Sequence, residues 1–74
     1  MRGKVIKEPE IFEDKAAYEL SYCGKQISAE SSGRQAVKDF LFIRRGQDVE
    51  IEGESSKNHI KVSKAKIDIS NLIG

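Results

Sequence analysis

Apolar side chains recur at every second position in several short runs of this chain, and glycines or polar clusters separate the runs. In residues 16–22, Tyr18, Leu20 and Tyr22 share one face, while Ala17, Glu19 and Ser21 share the other. Ile27 and Ala29 repeat the pattern, as do Val49 and Ile51 between Asp48, Glu50 and Glu52. Period two is the signature of a half-buried β-strand, because successive side chains point to opposite faces. Gly3 to Lys7 forms a further β-prone run, and Pro9 is expected to close or bend it, since proline donates no ladder hydrogen bond. Glu13-Asp14-Lys15 and Gly24-Lys25 read as turns.

The last run changes phase. Ile60 and Val62 lead it, but the apolar positions then move to Ala65, Ile67 and Ile69, one residue out of step. A strand cannot change face without an inserted residue, so a β-bulge is expected near Ser63-Lys64. Gly53 keeps the apolar phase of its strand, where a missing side chain permits a bend or a close backbone crossing. Leu72 and Ile73 are expected to tuck back onto the core.

One segment departs from period two. Ser31-Ser32-Gly33 breaks the third strand, and Ser32 is the expected N-cap of a helix beginning near Arg34. Ala36, Val37, Phe40, Leu41 and Ile43 fall near helical spacing and are expected to face inward, with Lys38-Asp39 outward. Arg44 and Arg45 suit the negative end of the helix dipole, and Gly46 stops the helix. The order is β-β-β-α-β-β over one domain, residues 1–74. An all-β chain with one short helix between its third and fourth strands matches the five-stranded OB-fold barrel. An SH3-like barrel is the runner-up, but its plan has no helix at residues 33–43.

A chain of 74 residues buries only about 60% of its unfolded surface, so self-association is an expected route to stability. Cys23 is alone and cannot form an internal disulfide, and with His59 it falls short of the four ligands of a structural zinc site. No cofactor is expected. His59 stands in a polar loop, and Ser31-Ser32 lacks the context of a nucleophile, so no catalytic constellation is visible. A basic start at Met1-Arg2-Gly3-Lys4 has no apolar run behind it, and no stretch is long enough for a membrane span. The chain reads as cytoplasmic, without a small-molecule substrate. A net charge of +1 argues against a strongly basic nucleic-acid protein, but a local patch can still bind phosphates.

The stretches GKVIKEPEIFEDKAAYELSY and VKDFLFIRRGQDVEIEGE, taken in order, resemble two blocks of the bacterial single-stranded DNA-binding protein family. The first has a glycine, two apolar residues, a Pro-Glu pair, a turn and an alternating strand. The second has a short helix, a basic-Gly-polar turn and a strand ending in acid-glycine. The resemblance implies an OB-fold that binds single-stranded nucleic acid, DNA before RNA. It departs from the family in lacking tryptophan and in carrying Glu19, Gln26, Ser28 and Glu30 on the outward face of the second and third strands.

Candidate contacts follow from this. Arg2, Lys4, Lys57, Lys61, Lys64 and Lys66 form one patch if the first and last strands are neighbours, as this barrel plan leads one to expect. Arg44 and Arg45 either end the helix or touch phosphate. Phe12 lies in a loop that can reach a ligand, whereas Tyr18 and Tyr22 are either core residues, in phase with Leu20, or a stacking platform. The alternative function is a protein-interaction barrel that oligomerises or docks a partner without nucleic acid. The acidic outer face favours that alternative, and a lysine run often serves only as a solvated edge.

Overall fold

A computed structural model describes residues 1–67; the expectations for Ile69, Leu72 and Ile73 lie outside them. The elements are β1 (Arg2–Phe12), β2 (Lys15–Tyr22), β3 (Lys25–Ser32), α1 (Gly33–Phe42), β4 (Asp48–Ser56) and β5 (His59–Ile67). The strands close into a barrel in the order β1-β2-β3-β5-β4, the OB plan expected from the run order. All pairs are antiparallel except β3 with β5.

Alternation builds the core directly. Val5, Tyr18, Leu20, Ile27, Ala29, Val49, Ile51, Ile60 and Val62 point inward from the five strands, and Ile43 joins them from just beyond the helix. Pro9 does not end β1. The strand runs on to Phe12, with irregular pairing between Lys7 and Glu10 where the missing N–H falls. The expected bulge is present: Glu52 pairs with Lys64, but Gly53 pairs with Val62, so Ser63 is the extra residue. Its hydroxyl donates to the Glu52 carbonyl at 3.1 Å. Gly53 sits opposite, and any Cβ there would collide with the Lys61 carbonyl oxygen.

Two expectations are overturned. The first concerns the strands. β1 is flanked by β2 and β4, and β5 lies between β3 and β4, so the first and last strands are not neighbours. Parallel pairing of Ser28–Glu30 with His59–Lys61 takes β5 to the far side of β4 from β1.

The second concerns the face that α1 turns inward. Ala36, Asp39 and Ile43 are buried, whereas Val37, Phe40 and Leu41 are 52%, 40% and 54% exposed. The inward set recurs at i, i+3 and i+7, a valid helical stripe built around a carboxylate. Asp39 is only 2% exposed, and it accepts hydrogen bonds from the Tyr18 hydroxyl at 3.3 Å and the Gln35 side-chain amide at 2.7 Å. A buried phenol needs a partner, and the helix supplies it with Asp39, while small Ala36 lets the helix approach closely. Ser32 is the N-cap as expected, but its side chain makes no capping bond. The Gly33 amide instead donates to the Asp14 carbonyl in the β1–β2 turn at 3.0 Å, tying the start of the helix to that turn.

Candidate nucleic-acid interface

Ala17 and Glu19 of β2 and Ser28 and Glu30 of β3 are among the outward residues of these strands. They floor a groove of about 290 Å³ that Lys7, Glu10 and Phe12 border from β1 and His59 borders from β5. Each arrives by simple alternation, since residues two apart on a strand share a face. The β1–β2 turn carries Phe12 to one border. The β4–β5 turn is held against β3 by the Ser28 amide, which donates to the Asn58 carbonyl at 2.8 Å, and this sets His59 beside Ser28. Lys57, at the same turn, is exposed with φ of 44°.

Three carboxylates, Glu10, Glu19 and Glu30, line this groove, and polar neighbours take up each of them. Lys7 Nζ lies 3.9 Å from Glu10, His59 Nε2 lies 4.0 Å from Glu30, and the Gln26 amide donates to Glu19. Phe12 is 56% exposed, so its ring offers an open face there. Oligonucleotides and oligosaccharides enter OB barrels over the β2–β3 face between the β1–β2 and β4–β5 loops, which is where Phe12 and His59 stand.

The structure scatters the other candidates. Lys4 pairs across the ladder with Asp48, Arg2 with Glu50, Lys66 with Glu50, Lys64 with Glu52, and Lys61 with Glu54. Directly opposed residues on an antiparallel pair share a face, so these cations form rows alternating with acids across β1, β4 and β5. The basic patch expected of them is therefore interleaved with carboxylates. Lys61 is also in register with Glu30 of β3. Arg44 holds the helix end: its guanidinium donates to the Phe40 and Ile43 carbonyls at 3.0 and 2.9 Å. Arg45 borders an adjoining depression with Ile6, Glu8 and Pro9, which shares Lys7 and Glu10 with the groove.

Tyr18 is 2% exposed. Burial first, then the Asp39 charge and hydrogen bond, push its phenol pKa upward, which keeps the hydroxyl protonated as a donor. Its ring is part of the core and offers no stacking face. Tyr22 is 38% exposed, at the end of β2 opposite Lys25, outside the groove. Of the expected contacts, Phe12 and Tyr18 line the groove, but only Phe12 exposes its ring there. Lys7 and His59 were not anticipated. Lys7 shares the sequence phase of the inward Val5 and turns outward only through the register shift between them, and His59 reaches the groove only through the non-local pairing of β5 with β3. Among the described residues, no group of three or more His, Cys, Asp or Glu side chains is placed to hold a metal ion. No helix there is long and apolar enough to cross a membrane.

Neither a protein-family model nor a curated protein matches the chain. Among solved structures, it is similar to TiaS, a tRNA agmatidine synthetase. The complex of TiaS with tRNA, AMPCPP and agmatine matches with a TM-score of 0.79 and 24% identity over 90% of this chain. The complex with tRNA and ATP matches with a TM-score of 0.78 and 25% identity over 90% of this chain. The chain spans only 17% of either TiaS chain. It is also similar to a small single-stranded DNA-binding protein from Streptomyces coelicolor, with a TM-score of 0.65, 14% identity, and coverage of 95% of this chain and 90% of that one.

Proposed function

We propose that the chain is a non-catalytic module that binds single-stranded nucleic acid, DNA before RNA, across the β2–β3 face. The observation that carries this reading is the exposed ring of Phe12 at the border of an open groove, between the two turns where this barrel plan takes oligonucleotides. Shape supports it too: the small single-stranded DNA-binding protein aligns over nearly the whole of both chains, and the TiaS chains that share this barrel were solved with tRNA. Because Glu10, Glu19 and Glu30 line the groove, phosphates are repelled from its floor. The bases lie inward, with Phe12 as a stacking surface, while the backbone runs outside past Lys7, Lys57 and His59. Carboxylates of this kind accept hydrogen bonds from base amino groups.

Few cations are available, so affinity is modest and its salt dependence shallow. About two neutralised phosphates, at Lys7 and Lys57, give a log–log slope near −1.4 for a single strand. The test is fluorescence anisotropy of labelled oligo-dC and oligo-dT, with their RNA counterparts, at low and moderate salt, with wild type and Phe12→Ala. Loss of one stacking ring costs about 1–3 kcal/mol, roughly fivefold to a hundredfold or more in affinity. Silence in low salt, or equal binding by the variant, refutes the reading. A second reading, docking of a protein or self-association without nucleic acid, is favoured by the acid–lysine rows of β4 and β5, which leave little net positive surface.

A further inference from the structure

The outer side of α1 carries an apolar stripe that the fold does not use. Val37, Phe40 and Leu41 stand at i, i+3 and i+4 and so share one side of the helix. They are 52%, 40% and 54% exposed, and Phe42 is 61% exposed at the helix end. The helix is held to the barrel by its other side, through Ala36, Asp39 and Ile43. None of the stripe residues lines the β2–β3 groove. The exposed charges on the helix itself are of one sign. Arg34 and Lys38, at i and i+4, are exposed beside it, and Arg44 sits at the helix end. Asp39 is the sole carboxylate of residues 33–45, and it is buried. Neither Arg34 nor Lys38 forms an ion pair with any described residue.

We infer that this side of α1 docks an acidic amphipathic helix of a partner protein, whose apolar side covers Val37, Phe40 and Leu41 and whose flanking Asp or Glu meet Arg34 and Lys38. Size and charge select this occupant. The three stripe side chains offer on the order of 250 Å². That suits a short helical segment but is only about a third of what each partner contributes to a stable dimer. A second copy laid face to face would also set Arg34 and Lys38 against their own equivalents, a like-charge contact that opposes association. Nucleic acid is disfavoured as well. Val37 and Leu41 cannot stack on bases, and Phe40 and Phe42, about 200° apart around the helix, do not make a common platform. An apolar row at i, i+3 and i+4 is the pattern through which helices recognise one another.

The experiment is selection of short random peptides displayed against the immobilised chain, followed by affinity measurement on wild type, Val37→Ser/Leu41→Ser and Arg34→Glu/Lys38→Glu. All four substitutions are at exposed positions, and circular dichroism checks that each variant keeps the barrel. The expected result is enrichment of peptides with apolar residues at helical spacing and an excess of Asp and Glu. Their affinity should fall about tenfold or more in each variant. Neutral or basic consensus sequences, no enrichment at all, or unchanged binding by the variants overturns the inference. So does concentration-dependent self-association abolished by Val37→Ser/Leu41→Ser, which assigns the stripe to a second copy. Loss of oligo-dT binding in Arg34→Glu/Lys38→Glu assigns it to nucleic acid and overturns the inference equally.

Discussion

Replacing Tyr18 with Phe removes one hydroxyl and leaves the ring in place, which isolates the bond that fastens α1 to the barrel. Asp39 keeps Gln35 as a donor at 2.7 Å but loses Tyr18, at 3.3 Å, while remaining 2% exposed. A hydrogen bond to a charged group contributes about 1.5–3 kcal/mol. The 3.3 Å separation is long for an O–H···O bond, so the lower end applies, and a loss of about 1–1.5 kcal/mol is expected. Asp39→Ala is worse. It strands the buried Tyr18 hydroxyl and opens space beneath the helix, for about 2–3 kcal/mol. Gln35, half-buried, can turn to water.

The double variant Tyr18→Phe/Asp39→Leu supplies the decisive comparison. It removes the polar pair together, and Leu refills the volume, so its stability should lie within about 1 kcal/mol of wild type. Asp39→Leu alone, which strands the Tyr18 hydroxyl at a loss of about 1–2 kcal/mol, closes the cycle, and the two single variants and the double then define a coupling energy of about 2 kcal/mol. Urea unfolding followed by far-ultraviolet circular dichroism measures all of them, with an unchanged slope confirming that the same surface unfolds. In a chain of this size, the Tyr18→Phe loss corresponds to about 5–10 °C in Tm. A Tyr18→Phe loss below about 0.5 kcal/mol, or a coupling near zero, would show that this bond does not hold the helix and that Ala36 and Ile43 suffice.

Two further outcomes follow from the barrel. Gly53→Ala places a methyl against the Lys61 carbonyl, so the β4–β5 crossing must open; a loss of about 2–3 kcal/mol in chemical unfolding is expected, and a variant as stable as wild type would refute the close crossing. Lys64→Gln with Lys66→Gln should change oligo-dT affinity less than about twofold, because each lysine lies opposite a glutamate; a loss above about fivefold would return those residues to the binding surface.

The period-two runs were enough to place β2 to β5, because a half-buried strand writes its inward face into alternate residues, whereas β1, read only as a β-prone run to Lys7, continues past Pro9 to Phe12. The bulge at Ser63 was legible for the same reason: the shift from Ile60 and Val62 to Ala65 and Ile67 has one local explanation. Phe12, read as a loop aromatic, is instead the last residue of β1, exposed at the border of the groove. The helix misled. Val37, Phe40 and Leu41 read as its inward stripe because hydrophobicity was the only criterion applied, yet Asp39 took that side to meet Tyr18. Gln35 and Asp39 at i and i+4 were one sign, but nothing local marked Tyr18 as their partner 21 residues away.

Local rules of alternation, turn residues and glycine spacing thus determined from sequence alone that this chain forms five strands and one helix in OB order. Tertiary structure decided which strands became neighbours, and with them where the charges fell. Pairing β5 between β3 and β4 set His59 beside the β2–β3 face and set Lys61, Lys64 and Lys66 opposite acids, separating them from Lys4. No local pattern encodes that outcome, because the partner of a strand is chosen by closure of the whole barrel around one core, and each charge acquires its neighbours only then.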